Sequence, residues 1–253
     1  MFMFKDERYN RQINMPEWGV ERQEKLLNSR VVVIGAGGVK STLLMCLAAA
    51  GIGHIKIIEF DKVELSNLNR QLLYRTSDIG IEKGQAAKKT LQDLNPEIEI
   101  ELVSDKVTKN NIDSLLSGYE LIVEGGESPA GRNLINEYCL KNNIVMVHCS
   151  AQFSYGYVTT LLPKEKTACF ACIFPNDHTR TEHTGAVPVN VLSTSIAGSL
   201  GAAEVLKWFL GYRDNMTVNS KLTFNSLIIN KGFEFENIER NPTCPICSKY
   251  YDQ

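Results

Sequence analysis

Residues 31–71, VVVIGAGGVKSTLLMCLAAAGIGHIKIIEFDKVELSNLNRQ, decide the fold that the sequence predicts. Val31–Ile34 is a short β-branched run, which is typical of a buried parallel strand. A glycine-rich turn at 35–38 follows, and Ser41–Ala50 is rich in the strong helix formers Leu, Met and Ala. Ile55–Phe60 is a second apolar run. The stretch therefore predicts a strand, a glycine turn, a helix and a second strand.

This unit favours a nucleotide as the ligand. Gly35, Gly37 and Gly38 would let the backbone approach a phosphate, and the start of the helix offers free N–H groups and a partial positive charge. Glu59 and Asp61 close the second strand, where a carboxylate can accept hydrogen bonds from ribose hydroxyls. The pattern alone leaves open a buried α/β turn without a ligand.

Composition excludes several classes of protein. The chain has 253 residues with 27 basic and 29 acidic side chains, a net charge of -2, so it offers no general attraction for nucleic acid or a membrane. No apolar run approaches the length of a membrane span, and the charged N-terminus does not resemble a signal peptide. We expect a cytoplasmic protein with a single domain over 1–253, in which 1–150 form the nucleotide-binding half.

Helices and strands are predicted to alternate up to residue 150. After an N-terminal arm, the predicted helices cover 20–28, 77–95, 108–116 and 132–141, and the further strands cover 98–103, 121–123 and 144–147. Beyond residue 150 the pattern predicts antiparallel strands at 155–162 and 221–229, a long polar loop at 175–188 and a helix at 196–210. The expected fold is α/β, with a doubly wound, mostly parallel Rossmann-like sheet and an antiparallel C-terminal extension.

Four of the seven cysteines form two C-x-x-C pairs, Cys169 with Cys172 and Cys244 with Cys247. Two such pairs supply the four thiolates of a tetrahedral zinc site that has no open position for water, so the zinc would be structural. It would fix the C-terminal tail to the middle of the chain. Unpaired thiols and a redox pair are the alternatives. Cys149 follows His148 at a predicted strand end, and we expect it to be a buried thiol.

Several strings together resemble the MoeB/ThiF/HesA family of adenylyltransferases, which are related to the ubiquitin-activating enzymes. The resemblance covers nearly the whole chain. It rests on RYNRQI at 8–13, GAGG at 35–38, SNLNRQ at 66–71, the segment from Gly80 to Lys83, Asn95-Pro96 and the two C-x-x-C pairs.

The resemblance implies a reaction. Members of this family form acyl-adenylates, in which a carboxylate attacks the α-phosphate of ATP and pyrophosphate leaves. By this resemblance Arg70 and Lys83 hold the triphosphate with Asn67 and Gln71 beside them, and Glu59 binds the ribose. Such a transfer depends mostly on cations placed where negative charge develops.

The resemblance also implies a homodimer, in which Arg11 reaches the ATP of the neighbouring subunit, and a magnesium ion held at Glu127. The chain departs from the family pattern at several positions. Lys40 replaces the last glycine of the loop and would either add a phosphate contact or crowd the nucleotide. Glu127-Ser128 replaces Asp-Asn, and Thr181 stands where the family often has a loop cysteine, so a thioester step on that loop is not expected.

Two kinds of substrate remain open. One is the C-terminal glycine of a ubiquitin-like sulfur carrier, of the molybdopterin or thiamin type. The other is a small cofactor-precursor carboxylate, as in the HcgE branch, which activates the guanylylpyridinol of the iron-hydrogenase cofactor. Outside this function, the glycine turn and Glu59 permit an NAD-dependent oxidoreductase. Lys40 and Glu127 permit a catalytically inactive scaffold.

Overall fold

The computed structural model describes residues 3–126, 128–175, 187–228 and 232–251, with side chains from residue 7 onward. In chain order, the strands are β1 (Arg30–Ile34), β2 (His54–Ile58), β3 (Glu99–Val103), β4 (Leu121–Glu124), β5 (Val145–Gln152), β6 (Tyr155–Leu161), β7 (Ser220–Asn225) and β8 (Phe233–Asn237). The helices are α1 (Met3–Ile13), α2 (Gly19–Leu27), α3 (Gly38–Ala50), α4 (Lys83–Leu94), α5 (Ile112–Leu116), α6 (Pro129–Asn142), α7 (Phe170–Ile173), α8 (Val191–Leu210) and α9 (Ser248–Tyr251).

These strands form one sheet in the order β3-β2-β1-β4-β5-β6-β7-β8. The first five strands of this order are parallel, and the pairs from β5 to β8 are antiparallel. The predicted α/β fold with an antiparallel C-terminal extension is confirmed. Because the strand order reverses on either side of β1, the carboxyl ends of β1, β2 and β4 border a crevice, where ligands of such sheets bind.

Strand β1 is buried on both faces, as its β-branched sequence predicts. Val31 and Val33 face a core that contains α3, α4 and α8, while Val32 and Ile34 face a second core formed with α5, α6 and the cysteine-bearing segments. Helices α3 and α8 lie very close together. A Cβ on Gly198 of α8 would lie only 2.3 Å from the carbonyl oxygen of Val39, so glycine allows this contact.

Several predicted boundaries were wrong, each for a local reason. The N-terminal arm is the helix α1. The helix predicted from residue 77 begins at Lys83, because a short 3-10 turn and Gly80, with φ +88°, precede it. The helix predicted from 108 begins at Ile112, because Asn111 binds the N–H and hydroxyl of Thr108.

The second half of the chain also differs in detail. Helix α6 begins at Pro129, capped by Ser128, and α8 begins at Val191, capped by Asn190. Strand β5 continues to Gln152. The strand predicted over 221–229 ends at Asn225, and β8 was not predicted. Most of the predicted loop at 175–188 lies outside the described residues. None of the described helices combines the length and the hydrophobicity that crossing a bilayer requires.

Candidate active site

A cavity of about 590 Å³ lies at the carboxyl ends of the parallel strands. It brings together all ten residues predicted to bind the nucleotide: Gly35, Gly37, Gly38, Lys40, Glu59, Asp61, Asn67, Arg70, Gln71 and Lys83. They come from the turn after β1, the start of α3, the segment that follows β2 and the start of α4. Sequence reasoning did not assign the rest of the wall to the nucleotide site, including Gly125 and Gly126 after β4 and Thr194 of α8.

The glycine turn leads from β1 into α3. Gly35 adopts φ +86°, a left-handed conformation that favours glycine, and its N–H donates to the carbonyl of Ile58 (2.8 Å). Gly37 caps α3, so the first N–H groups of this helix point into the cavity region without intrahelical partners. Tyr74 donates its hydroxyl to the carbonyl of Ala36 (2.8 Å), and burial raises its pKa. The hydrogen bond from Tyr74 thus supports a glycine turn whose geometry suits the binding of an anion.

The carboxylate of Glu59 is held by three backbone N–H groups. Its Oε2 accepts from Ala36 (2.8 Å), and its Oε1 accepts from Phe60 and Asp61 (2.9 Å each). These bonds turn the chain out of the sheet, which is why β2 ends at Ile58 and not at Phe60 as predicted. A carboxylate has about four lone-pair positions, so roughly one remains for a ligand hydroxyl.

The segment after β2 positions Arg70 and Gln71. Asn67 ends a 3-10 turn, where its side-chain oxygen accepts from the N–H of Glu64 (3.1 Å) and its carbonyl accepts from the N–H groups of Arg70 and Gln71. Arg70 donates to the carbonyl of Ser66 (2.9 Å). The side-chain oxygen of Gln71 is buried and has no protein partner among the described residues. The Asn67 turn therefore holds a cation and an amide at the cavity.

Lys83 begins α4 and reaches the cavity from the side of β2. Its Nζ lies 3.1 Å from Oδ2 of Asp61, and its own backbone N–H donates to the carbonyl of Asp61 (2.8 Å). The Lys83 side chain is 8% exposed, whereas that of Asp61 is 56% exposed. Lys83 is thus a buried cation at the cavity wall, and its carboxylate partner is solvated. A phosphate can replace that carboxylate or bind to Lys83 beside it.

Lys40 lies on the other side of the glycine turn. Its Nζ donates to the carbonyl of Cys149 (3.2 Å) and lies 3.5 Å from the Cys149 sulfur. Gly125 lies beside this ammonium with φ +147°, and a Cβ there would lie 1.9 Å from the same carbonyl, so only glycine fits. Burial raises the pKa of the Cys149 thiol, although Lys40 opposes the shift, so Cys149 is the buried neutral thiol that was predicted.

A buried acid–imidazole pair lies next to this lysine. His148 Nδ1–H donates to Oε2 of Glu124 (2.7 Å), and both side chains are almost completely buried. Burial alone would raise the pKa of Glu124, but His148 and then Lys40 hold it below its ordinary value. The carboxylate is therefore ionised at pH 7. Glu124 Oε1 and His148 Nε2 have no hydrogen-bond partner among the described residues.

The two C-x-x-C pairs converge on one cluster. The four sulfur atoms lie within 4.8 Å of one another, with separations of 3.8 Å for Cys169–Cys172 and Cys169–Cys244 and 3.7 Å for Cys172–Cys247. Four thiolates at the usual zinc–sulfur distance of about 2.3 Å would be about 3.8 Å apart in a tetrahedron. The donor set and its geometry therefore fit a structural zinc ion.

Two described residues of interest, Arg11 and His148, do not line the cavity of their own chain. Arg11 is exposed on α1 and does not line the cavity of its own chain. Glu127, the predicted magnesium ligand, and Thr181 lie outside the described residues. His148 lies behind the wall, with its ring against Tyr157 (5.6 Å between centroids) and Phe170 (4.8 Å).

The fold and the cavity define a Rossmann-like α/β protein with a cluster of four cysteines that fits a metal ion. The sequence profile described as the ThiF family matches residues 9–246. The chain therefore belongs to the ThiF family, as the resemblance predicted.

Two relatives and one solved structure show how far the similarity extends. The chain is 35% identical to a sulfur carrier protein adenylyltransferase of Thermus thermophilus, over 95% of this chain and 90% of the relative. It is 33% identical to a SAMP-activating enzyme E1 of Haloferax volcanii, over 96% and 89%. The crystal structure of E. coli MccB with ATP superposes with a TM-score of 0.77 at 25% identity, over 90% of this chain and 68% of that one. The predicted enzyme class, adenylyltransferase, is confirmed by these relatives.

Proposed function

We propose that this chain transfers AMP from ATP to a carboxylate and releases pyrophosphate. The observation that carries this proposal is the shared cavity, whose wall combines a glycine turn and a helix start with the acids Glu59 and Asp61 and the cations Arg70 and Lys83. A nucleotide with several phosphates matches this distribution of charge. The relatives named as adenylyltransferases support the same reaction.

The nucleotide would lie across the end of β1. The remaining lone pair of Glu59 would accept from a ribose hydroxyl, and the start of α3 would bind a phosphate. Arg70 and Lys83 would bind the triphosphate, with Gln71 and the side-chain amide of Asn67 as neutral donors beside them. These assignments match the positions of the side chains at the cavity wall.

The reaction exchanges one bond at phosphorus for another. A carboxylate oxygen attacks the α-phosphorus, a new O–P bond forms, and the bond from the α-phosphorus to the bridging oxygen of the β-phosphate breaks. The products are the acyl-adenylate and pyrophosphate, and no water or oxidant takes part. Arg70 and Lys83 would stabilise the negative charge that collects on the leaving pyrophosphate.

The acid is proposed to be the C-terminal glycine of a ubiquitin-like sulfur carrier. The support is the similarity to the Thermus thermophilus enzyme, whose name identifies a sulfur carrier protein as its substrate. The alternative substrate is the small cofactor-precursor carboxylate of the HcgE branch, and pyrophosphate exchange with each kind of acid distinguishes the two.

Two metal ions belong to this proposal. The four cysteines would hold zinc, which would join the C-terminal segment to α7 and supply stability rather than chemistry. Magnesium would supply charge neutralisation at the phosphates. The predicted magnesium ligand, Glu127, lies outside the described residues.

A homodimer is part of the proposal because Arg11 is exposed and lies outside its own cavity. Arg11 would complete the site of the partner chain. Mixing the inactive variants Arg11→Ala and Lys83→Ala tests this idea, since a mixed dimer would then contain one intact site. Activity should return on mixing. If the mixture stays inactive although the chains exchange, Arg11 does not act across a dimer.

Pyrophosphate exchange into ATP tests the function itself. The zinc-loaded protein is given ATP, magnesium, labelled pyrophosphate and either a sulfur carrier with its C-terminal glycine or a panel of small carboxylic acids. We expect exchange with the carrier and none with a carrier that lacks the last glycine. Calorimetry with ATP and NAD runs in parallel. NAD binding without ATP binding would favour the oxidoreductase, and ATP binding without exchange for any acid would favour the scaffold.

A further inference from the structure

Lys40 is a buried cation that forms no ion pair with any residue that the structure describes. The residue is 4% exposed, and within the described ranges its ammonium hydrogen-bonds only to the carbonyl and the sulfur of Cys149. An ammonium carries three donors, whereas a carbonyl takes one and a thiol is a weak acceptor. At least one N–H therefore has no strong acceptor among the described residues, although Lys40 belongs to the cavity wall.

Such an arrangement is costly unless an anion approaches the ammonium. Removing an ammonium from water without a counterion carries a large desolvation penalty. The buried carboxylate of Glu124, whose pKa Lys40 helps to lower, is already bound to His148 through Oε2 and does not form an ion pair with Lys40. An anion that enters the cavity would supply the missing partner.

The position of Lys40 separates it from Lys83. Glu59 and Lys83 lie at the β2 side of the glycine turn, whereas Lys40 contacts Cys149 of β5 and lies beside Gly125 at the end of β4. Since β2 and β4 flank β1 on opposite sides, the two groups occupy opposite halves of the cavity. The wall next to Lys40 includes Ala151, which is small and uncharged.

We propose that Lys40 binds the carboxylate of the acid substrate and then the acyl oxygen of the adenylate. This inference rests on the proposed function. The start of α3, Arg70 and Lys83 are assigned to the phosphates, and among the described residues of the cavity wall Lys40 is the cation with contacts to β5 and to the end of β4. A carboxylate that attacks a phosphate is repelled by it, and an ammonium placed between the two anions offsets that repulsion.

The test uses three probes of known structure, so it does not require the natural acid. Calorimetry measures the binding of ATP, AMP and 5′-O-(N-acetylsulfamoyl)adenosine, which carries an acyl oxygen but no phosphate. Lys40→Met should weaken the acetylsulfamoyl compound roughly 10- to 100-fold, the loss of one charge-assisted hydrogen bond, and should change ATP and AMP binding less than about threefold. Lys89→Met, which removes an exposed charge on α4, is the matched control and should change nothing.

Lys40→Gln keeps a neutral donor for the Cys149 carbonyl and should show the same selective loss even if the Met variant fails to fold. Equal losses for AMP and the acetylsulfamoyl compound would overturn the inference, because Lys40 would then act on a part of the ligand other than the acyl oxygen, which AMP lacks. Unchanged binding of all three probes would also overturn it and assign Lys40 to structure alone. Wild-type protein that binds none of the three would refute the proposed function itself.

Discussion

Lys83 offers the sharpest perturbation of the proposed triphosphate site. Its ammonium is buried at the cavity wall and has one carboxylate partner, Asp61, at 3.1 Å. Lys83→Met removes the charge and keeps a flexible side chain of similar length. If Lys83 binds the β- and γ-phosphates, ATP binding should weaken strongly and AMP binding should not.

The size of the effects of Lys83→Met on stability and on ATP binding follows from the surroundings of Lys83 and Asp61. Because more than half of the Asp61 side chain is exposed, breaking its ion pair should cost the fold only about 0–1 kcal/mol. A charge-assisted hydrogen bond to phosphate in a partly buried site contributes about 1.5–3 kcal/mol, which corresponds to roughly 10- to 100-fold in the dissociation constant. Lys83→Met should therefore weaken ATP binding by far more free energy than it removes from the stability of the fold.

Calorimetry on wild-type protein, Lys83→Met and the control Lys89→Met measures the affinity for ATP and the affinity for AMP. Lys89 lies on the same helix but is exposed, so its variant should bind both nucleotides normally. Urea unfolding checks that the fold is intact. Equal ATP affinity in wild type and Lys83→Met would refute the reasoning, since Lys83 would then serve only as the partner of Asp61.

Three further predictions concern the supporting structure. Cys172→Ser should lower the zinc content measured by mass spectrometry and the free energy of unfolding by several kcal/mol, and full zinc loading would contradict the four-cysteine site. The folded state lowers the pKa of Glu124. Ionised Glu124 therefore stabilises the protein at pH values above its ordinary pKa of 4.5, and this stabilisation is lost as the pH falls through the lowered pKa. Glu124→Gln should therefore cost about 1–3 kcal/mol in urea unfolding at pH 7 and progressively less in acid, whereas a cost independent of pH would argue against an ionised pair. Tyr74→Phe should cost about 0.5–1.5 kcal/mol and weaken ATP binding, because the carbonyl of Ala36 loses its donor; unchanged ATP affinity would show that the glycine turn does not need Tyr74.

The parts of the fold that the sequence predicted well depend on neighbours in the chain. The unit from Val31 to Asp61 has its glycines, helix formers and acids at short offsets, so local chemistry specifies it. The segment 64–71, which includes the SNLNRQ string at 66–71, likewise contains the turn that positions Arg70. The two C-x-x-C pairs predicted a cluster because each pair fixes two thiols one helical turn apart.

The parts that were missed depend on contacts between distant segments. The sequence could not predict the surroundings of Lys40, because its partner Cys149 lies on β5 and Gly125 follows β4, both far from α3 in the chain. Tyr74 gave no local signal for its bond to Ala36. Strand β8 was different, because the alternation in FEFE at 233–236 is a strand signal that could have been used.

A crystal structure of the protein with ATP and magnesium tests the central claim most directly. In that crystal structure we expect the ribose at Glu59 and the triphosphate over the start of α3, with nitrogen atoms of Arg70 and Lys83 within about 3.2 Å of phosphate oxygens. A nucleotide bound elsewhere, with Arg70 and Lys83 both facing solvent, would contradict it.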